Sequence, residues 1–557
     1  MSKISISFLF LFQLFCGLSN AQSKSNNKSN SINNSLSRPK LVVGIVVDQM
    51  RWDYLYRYHD LYSNTGGFKR LLGEGFSCEN TFIPYIPTVT AAGHTCIYTG
   101  SIPAIHGIVG NNWYDNIQKK DVYCTDDSTV STVGSTTVGV GKMSPRNMFA
   151  TTIGDELRLA TNFRSKVIAI SCKDRASILP GGHNPNGAYW YDNKTGKFVT
   201  STYYRQDLPN WVEAFNNRKI VDSLYALNWN LAVDSSLYPI YSTDDSMDYE
   251  GAQIVKGQTT FPYQLSQFIG NDYSKIMYTP YANTMTTDMA IAALKGEQLG
   301  ISDVTDMLAV SYSAPDYIGH TDGPNSWEQM DDYIRLDKEI GKLLSNLDAT
   351  VGKGNYTVFL SADHGAAHAG KFSQMNSLPG GSFSETDMKN DMNEQLKNKY
   401  GFPNIIRSIS EYQIAFNYDL LNRTENINRE DLTNWVIRYL LERPEVASAF
   451  SLNKTTQALI PEVQKQRTIN GYFAQRSGDI QFIAKPGYFG GSSKGTTHGS
   501  WNPYDSHIPL VWYGWGIKHG ETNRETYMTD IAATIAALLH IQMPSGCVGT
   551  VISEIMK

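Results

Sequence analysis

The chain has 557 residues, and its 48 Lys and Arg against 53 Asp and Glu give a formal net charge of −5. This near balance excludes a strongly basic nucleic-acid-binding protein and a chain built around an acidic disordered tail. Hydrophobic residues make up 41% of the chain and charged residues 18%, so the protein has enough apolar side chains to bury a large core.

The N-terminus has the pattern of a secretory signal peptide over residues 1–21. Lys3 precedes an apolar stretch at 4–18, and we expect cleavage after the small residue Ala21. This stretch is short for a membrane span, and no later segment reaches about 18 apolar residues, so we expect no transmembrane span. Residues 22–39 are almost all Ser, Asn and Lys, which predicts a flexible linker. The pattern indicates a periplasmic or secreted protein and does not separate the two locations.

Removal of the signal peptide takes Cys16 away and leaves five cysteines: Cys78, Cys96, Cys124, Cys172 and Cys547. Cys16 is a poor lipoprotein signal because Phe15 stands where a small residue is expected. In an exported protein we expect one or two disulfides and at least one free thiol, but the sequence does not give the pairing. No Cys-x-x-Cys motif occurs, which argues against a sulfur-ligated zinc site.

Short apolar runs rich in β-branched residues predict strands that are buried on both faces of a parallel sheet. These runs lie at 41–47, 166–171, 307–312, 357–362 and 508–513. Three of them lead to an acidic residue, namely Asp48, Asp316 or Asp363, and the run at 166–171 leads to Lys173 and Arg175.

Helical patterns lie between these runs, at 151–160, 283–299, 326–347 and 528–540. Alternating strands and helices predict an α/β fold with a doubly wound, mostly parallel central sheet and helices on both faces. In such a fold the functional site lies at the carboxyl ends of the strands, where the polar residues cluster.

Two stretches, about 176–282 and 372–490, lack this alternation, although 429–442 has a helical pattern. We predict that both are insertions that form a cap over the site.

Three Asp and three His form a set of candidate metal ligands. Asp316 and His320 are four residues apart, which places both on one face of a helical turn. Asp363 and His364 follow a predicted strand, and Gly365 permits the turn that would bring both side chains to one ion. Alone, the spacing of Asp316 and His320 is a weak signal of a metal site. For Asp363 and His364 the signal is stronger, and the alternative is a helix-capping Asp with a solvent-facing His.

His498 lies in a polar, Gly-containing loop, and Asp48 follows the first predicted strand. Together the six side chains are a hard nitrogen and oxygen ligand set that suits zinc or a similar divalent ion, and they are enough for two sites. Two ions about 4 Å apart can hold both the attacking and the leaving oxygen of a phosphoryl displacement.

Residues 87–113, PTVTAAGHTCIYTGSIPAIHGIVGNNW, add a further pattern. With this segment the chain resembles the alkaline phosphatase superfamily, in its type I phosphodiesterase/nucleotide pyrophosphatase-like branch, and most of all the zinc-dependent PafA-type bacterial alkaline phosphatases. The other matching segments are VVGIVVDQMRWDYLYRY, which contains Asp48, SCKDR (171–175), APDYIGH (314–320), SADHG (361–365) and GTTHG (495–499). They are spread over most of the region 40–557, which we therefore predict to be one alkaline-phosphatase-like catalytic domain.

The resemblance implies two zinc ions per chain. One would be held by Asp48, Asp363 and His364, and would also bind the nucleophile. The other would be held by Asp316, His320 and His498. Thr90 matches the nucleophile, with Thr88 as its competitor. Asn111 matches the asparagine that donates to a phosphoryl oxygen, and Lys173 and Arg175 match the basic pair that marks the phosphomonoesterase subgroup.

The chemistry of these residue types agrees with the implied roles. A Thr hydroxyl is a poor nucleophile unless a bound metal lowers its pKa. Arg175 can donate to two non-bridging oxygens, which a second ester group would obstruct. With the two basic residues counted, the site carries a positive charge that a monoester dianion neutralises and a diester monoanion does not. We expect only structural hydrogen bonds from His94 and His106.

These observations predict a secreted phosphomonoesterase that acts on small phosphorylated substrates through a phosphothreonine and releases inorganic phosphate. The alternative is a phosphodiesterase or nucleotide pyrophosphatase on the same scaffold, which is expected to lack Lys173 and Arg175. A non-catalytic ligand-binding protein is a third hypothesis, and the intact ligand set argues against it. We expect a monomer with no nucleic-acid partner.

Overall fold

The computed structural model of the protein describes residues 36–424 and 426–557. The predicted signal peptide and most of the predicted linker fall on residues 1–35, outside the described residues. Within the described ranges, no helix is both long and apolar enough to cross a membrane.

The strands of the described chain are β1 (Leu41–Val47), β2 (Phe76–Cys78), β3 (Thr81–Phe82), β4 (Asn112–Asp115), β5 (Lys120–Tyr123), β6 (Thr132–Val133), β7 (Val167–Ser171), β8 (Gly187–Asp192), β9 (Lys197–Ser201), β10 (Asp306–Tyr312), β11 (Tyr356–Ser361), β12 (Gly381–Phe383), β13 (Ile406–Ser410), β14 (Gln413–Phe416), β15 (Val446–Ser451), β16 (Ile480–Ala484), β17 (Tyr488–Gly490), β18 (His507–Ile508), β19 (Leu510–Gly514), β20 (Gly520–Thr522) and β21 (Thr526–Tyr527).

The α-helices are α1 (Tyr54–Arg57), α2 (Gly67–Glu74), α3 (Thr90–Thr99), α4 (Pro103–His106), α5 (Ile153–Ala160), α6 (Arg175–Gly181), α7 (Asn210–Asn217), α8 (Ile220–Tyr225), α9 (Tyr238–Tyr241), α10 (Tyr281–Gly296), α11 (Ala314–Asp322), α12 (Trp327–Thr350), α13 (Gly370–Met375), α14 (Glu385–Tyr400), α15 (Tyr418–Leu421), α16 (Arg429–Leu441), α17 (Glu462–Gly471), α18 (Pro503–Ser506) and α19 (Asp530–Leu539).

A ten-stranded sheet with the order β20-β2-β19-β11-β1-β10-β7-β8-β9-β6 organises the described chain. β1 lies between β10 and β11 and is parallel to both, and β10 is parallel to β7. Every residue of these four strands is buried, which explains why their sequences are continuous apolar runs. The α/β fold and these four predicted strands are confirmed.

In the described structure five of the nine strand pairs of this sheet are parallel, as predicted, and four are antiparallel, among them the pair of β19 with β11. The predicted strand at 508–513 is divided at Pro509, which has no backbone N–H to donate, into β18 and β19. The composition of a strand does not encode its direction, so the sequence pattern could not distinguish β19 from the parallel strands β1, β7, β10 and β11.

Helices pack in two groups, as expected for layers on both faces of a sheet. One group of packed helices consists of α2, α10 and α12. The other consists of α3, α5, α6 and α19. The predicted helices at 151–160, 283–299, 326–347 and 528–540 correspond to α5, α10, α12 and α19, and 429–442 corresponds to α16.

The first predicted insertion contributes to the main sheet as well as to its surroundings. β8 and β9 extend the sheet beyond β7. Buried aromatic residues of this segment, such as Trp190, Trp229 and Tyr238, belong to the same hydrophobic core as the central strands. The sequence of this segment does not alternate between strand and helix patterns, because its residues are buried among aromatic side chains and not in regular helix–strand units.

The second predicted insertion has a sheet of its own, with the order β13-β14-β16-β15, and a separate hydrophobic core. We call residues 381–490 the inserted lobe. Its β13–β14 hairpin turns at Glu411 and Tyr412, whose φ angles of 53° and 59° are both left-handed, as a two-residue hairpin turn requires.

All five cysteines of the predicted mature chain are free thiols in the described structure. The expectation of one or two disulfides is therefore wrong, while that of a free thiol is confirmed. Cys78, Cys96, Cys124 and Cys172 are buried on different elements, and burial raises the pKa of each thiol, to about 12 for Cys78 and Cys172. Protonated, buried thiols behave as small apolar side chains.

Candidate active site

The carboxyl ends of three neighbouring strands carry the predicted acidic ligands. Asp48 directly follows β1, and its backbone N–H donates to the carbonyl of Tyr312 at the end of β10 (3.0 Å). Asp363 follows β11 after one residue, and Asp316 lies in the first turn of α11, just beyond β10. Adjacent parallel strands therefore bring three carboxylates, distant in sequence, to one edge of the sheet.

The structure brings all six predicted metal ligands together. Ligand atoms of Asp48, Asp363 and His364 lie within 4.8 Å of one another, as do those of Asp316, His364 and His498. His320 Nε2 is 3.2 Å from Asp316 Oδ1, and its ring centroid is 5.1 Å from that of His498. His364 contributes to both groups, because its ring stacks on that of His498 with a centroid distance of 3.5 Å.

Each predicted histidine ligand is held by a backbone carbonyl through Nδ1. The acceptors are Gly365 for His364 (3.0 Å), Thr496 for His320 (2.9 Å) and Thr88 for His498 (2.7 Å). A neutral imidazole that donates from Nδ1 keeps its lone pair on Nε2, which is the tautomer that a metal binds. Burial lowers the pKa of His364 and of His498, which favours this neutral form.

The buried negative charge also fits a cation-binding site. Oδ1 of Asp48 and Oδ2 of Asp363 are buried without a hydrogen-bond partner in the described structure. Burial raises the pKa of Asp48 well above its ordinary value, and Asp316 and Asp363 raise it further. Three buried carboxylates, two of which have an oxygen without a hydrogen-bond partner in the described structure, are costly unless cations compensate them, so the residues present fit bound divalent ions.

Thr90 is the first residue of α3, and its hydroxyl oxygen lies 3.4 Å from Nε2 of His364. The competing Thr88 hydroxyl donates to the carbonyl of Ser500 (2.9 Å). Gly93 permits the close approach of α3, which Thr90 begins, to Asp363, because a Cβ on Gly93 would lie 2.4 Å from the backbone oxygen of Asp363. The geometry therefore supports Thr90 over Thr88 as the nucleophile.

Lys173 lies between the two ligand groups. Its ammonium group donates to Asp48 Oδ2 (2.7 Å) and to Asp316 Oδ2, and it is 4% exposed. Although burial lowers it, these carboxylates raise the pKa of Lys173 above its ordinary value, so the side chain is a permanent cation here. The positive charge of Lys173 also explains why the pKa of Asp316 is held well below its ordinary value although burial raises it.

Arg175 and Asn111 complete the set of predicted substrate-binding residues. Arg175 Nη1 donates to the Tyr123 hydroxyl (3.2 Å), and Tyr123 in turn donates to Asp174 (2.7 Å). The Asn111 side-chain oxygen accepts the backbone N–H of Ala91 (3.0 Å), which fixes the orientation of the amide and leaves its NH₂ group available.

Sequence reasoning missed the residues that orient this site. Gln49, at a left-handed φ of 64°, donates from its backbone to Asp363 (3.1 Å) and from its side chain to Asp316 (2.8 Å). Gly319 makes room for it, because a Cβ there would lie 2.0 Å from the Gln49 amide oxygen. Gln49 stands next to Asp48 in a matching segment, but nothing in the sequence relates it to residues more than 260 positions away.

Glu411 of the inserted lobe was also missed. A Cβ on Gly499 would lie 3.6 Å from Glu411 Oε2, and one on Gly110 would lie 3.6 Å from Glu411 Cγ. The hairpin tip thus reaches the residues next to His498 and Asn111. Burial raises the pKa of Glu411 to about 7, whereas Arg175 opposes this increase.

His94 and His106 make the structural hydrogen bonds that the sequence predicts. Nδ1 of His94 donates to the carbonyl of Thr90 (3.0 Å), and its Nε2 pairs with the Ser311 hydroxyl (2.7 Å). His106 Nδ1 accepts the backbone N–H of Ile108 (3.1 Å), and burial lowers its pKa to about 3.

Residues 42–507 match the type I phosphodiesterase / nucleotide pyrophosphatase family. The chain belongs to this family. Alkaline phosphatase PafA of Elizabethkingia meningoseptica is 52% identical over 528 residues, which cover 94% of this chain and 95% of the relative. Alkaline phosphatase PhoV of Synechococcus elongatus is 47% identical over the full length of both chains.

The crystal structure of wild-type alkaline phosphatase PafA superposes on the structure of this chain with a TM-score of 0.92. The two chains are 51% identical, and the match covers 94% of this chain and 100% of the crystallised one. The crystallised alkaline phosphatase PafA therefore shares the α/β fold of this chain.

Proposed function

We propose that the protein is an alkaline phosphatase that hydrolyses phosphate monoesters to an alcohol and inorganic phosphate through a phosphothreonine at Thr90. The observation that carries the proposal is the cluster of three Asp and three His at one edge of the sheet, where His364 Nε2 lies 3.4 Å from the Thr90 hydroxyl and every one of these imidazoles is oriented by a carbonyl through Nδ1. The likeness to PafA and PhoV, both named alkaline phosphatases, supports the same activity.

In the first step, the Thr90 hydroxyl loses its proton and its oxygen forms a bond to phosphorus while the bond from phosphorus to the leaving oxygen breaks, and the leaving group takes up a proton as the alcohol. In the second step, water attacks the phosphothreonine, the Thr90 hydroxyl is regenerated, and inorganic phosphate is released. Thr90 begins the ten-residue helix α3, so the positive end of the helix dipole faces the phosphoryl group in both steps.

The donor set suits two Zn²⁺ ions per chain, one held by Asp48, Asp363 and His364 and the other by Asp316, His320 and His498. When bound, such ions supply positive charge that lowers the pKa of a coordinated hydroxyl group and attracts the phosphoryl oxygens. Manganese or cobalt would suit the same ligands, and metal analysis of the purified protein distinguishes them.

Three side chains of the chain itself would bind the phosphoryl group. The Asn111 amide and the Arg175 guanidinium donate to its non-bridging oxygens, and Lys173 adds a permanent positive charge. Because a diester carries one negative charge less and a second ester group on an oxygen that Arg175 would bind, these residues favour a monoester over the alternative, a phosphodiester or nucleotide pyrophosphate.

The test is the ratio of kcat/KM for an aryl phosphate monoester to that for the matching methyl aryl diester, measured on the metal-loaded enzyme with Thr90→Ala as the blank. A ratio that strongly favours the monoester, with both activities lost in the blank, supports the proposal. A ratio that favours the diester would assign the protein to the diesterase alternative.

Export to the periplasm or beyond belongs to the same proposal. It rests on the signal-peptide pattern at 1–21 and on the linker composition at 22–39. N-terminal sequencing of the protein recovered outside the cytoplasm should begin at Gln22, whereas recovery of the intact N-terminus inside the cell would contradict it.

A further inference from the structure

We infer that the cavity beside Asp316 and His320 is a leaving-group subsite, and that Lys494 gives it a preference for phosphate monoesters whose alcohol part carries a second anionic group. The inference rests on the proposed monoester hydrolysis and concerns the substrate class that this site selects. Nothing in the sequence motifs pointed to Lys494 or to this cavity.

The cavity has a volume of about 520 Å³, within the range of small-molecule sites. One wall is formed by Lys173, Arg175, Asp316 and His320, whereas Thr90 does not line it. In an in-line phosphoryl transfer the leaving oxygen departs on the side away from the nucleophile. The cavity is lined by the two basic residues proposed to bind the phosphoryl group and by two of the predicted metal ligands, but not by Thr90. It is therefore placed to receive the departing alcohol.

Aromatic and polar side chains also line the cavity. The rings of Tyr278 and Tyr317 pack edge to face with centroids 5.2 Å apart, and Lys173 Nζ lies 5.1 Å from the Tyr317 centroid. The aromatic pair therefore begins directly beside the phosphoryl-binding lysine. The aromatic pair suits the carbon skeleton of an alcohol, while Gln253 and Lys494, which also line the cavity, offer hydrogen-bond donors.

Lys494 brings a positive charge that neighbouring carboxylates do not neutralise. Its ammonium group is fixed by a hydrogen bond to the backbone carbonyl of Glu250 (2.9 Å). Within the described ranges, no Asp or Glu oxygen lies within 4.0 Å of Lys494 Nζ. The Glu250 carboxyl is itself fully buried, and burial raises its pKa to about 9, so it is uncharged at neutral pH.

A carboxylate or second phosphate on the leaving group would meet this charge in the cavity. Lys494 is exposed to solvent, so its attraction is screened, and we expect an effect of about two- to fivefold in kcat/KM. Phosphate monoesters with an uncharged alcohol part would be hydrolysed without this contribution.

The experiment compares phenyl phosphate with its meta- and para-carboxyphenyl analogues on the metal-loaded enzyme and on Lys494→Gln. We expect the variant to lose about two- to fivefold in kcat/KM for at least one carboxyphenyl substrate and to retain its activity toward phenyl phosphate. Lys494→Arg should keep the preference. Lys371→Gln, which removes an exposed lysine paired with Asp248 (2.6 Å), is the matched control and should change none of the ratios.

Binding provides a readout that does not depend on turnover. In the Thr90→Ala background, calorimetry with the corresponding non-hydrolysable phosphonates should show that Lys494→Gln weakens binding of meta- or para-carboxyphenylphosphonate and leaves binding of phenylphosphonate unaffected. Equal changes for charged and uncharged ligands, or no change for any, would overturn the inference. Failure of the unaltered enzyme to hydrolyse phenyl phosphate would instead refute the proposed function, and the subsite with it.

Discussion

The role of Arg175 depends on the residue that orients it, and Tyr123→Phe tests this dependence with a small change. The variant keeps the aromatic ring and removes the hydroxyl that accepts from Arg175 (3.2 Å) and donates to Asp174 (2.7 Å). Nε of Arg175 has no hydrogen-bond partner in the described structure, so the guanidinium would lose an important restraint. Asp174 would remain hydrogen-bonded to Thr125 (2.8 Å), which limits the damage to the fold.

Loss of a hydrogen bond to a charged group costs about 1.5 kcal/mol, which corresponds to roughly a tenfold fall in kcat/KM for a monoester. We expect a fall of less than about threefold for a diester, because its second ester group already obstructs the paired contact with Arg175. The assay measures kcat/KM for both aryl substrates in the variant and the unaltered enzyme.

Tyr225→Phe is the matched control, because it removes a buried tyrosine hydroxyl that donates to the Asp272 carbonyl (2.9 Å), a contact that involves none of the proposed site residues. It should leave the ratio of monoester to diester activity unchanged. Equal losses for the two substrates in Tyr123→Phe, or a loss that follows a fall in Tm, would refute the reasoning that Tyr123 acts by orienting Arg175.

Three further predictions concern the same site. Arg175→Ala should reduce kcat/KM for monoesters at least about tenfold more than for diesters, and equal losses would remove Arg175 from the selecting role. A chelator should abolish activity and added Zn²⁺ should restore it, whereas full activity of protein shown by elemental analysis to be metal-free would contradict the ligand assignment. Glu411→Gln should lower the Ki of inorganic phosphate, because it removes a negative charge that offsets the attraction of phosphate to Arg175. Since the pKa of Glu411 is about 7, the carboxylate is charged above that pH, so this change should be larger at pH 9 than at pH 6; the opposite order would show that Glu411 does not act through its charge.

The sequence predicted the central strands well because burial on both faces leaves a strong pattern. β1, β7, β10 and β11 are continuous apolar runs, and their parallel arrangement places Asp48, Asp316 and Asp363 at one edge. The antiparallel direction of β19 left no such mark, because its residues are equally apolar and its direction depends on where the chain enters the sheet.

The candidate ligands could be proposed from residue type and motif, but the residues that orient them could not. Gln49 acts through contacts with Asp316 and Asp363, and Glu411 reaches the site through a hairpin of the inserted lobe. Such contacts join positions hundreds of residues apart, and neither residue type is unusual for a loop. Their roles follow from the fold and have no local sequence signal.

The most direct test of the account is to trap the covalent intermediate. The metal-loaded enzyme is mixed with an aryl phosphate monoester, quenched in acid within the first turnover, digested and analysed by mass spectrometry. The account predicts a phosphate group on Thr90, and neither phosphate nor activity in Thr90→Ala. Phosphate on Thr88, or full activity of Thr90→Ala, would contradict it.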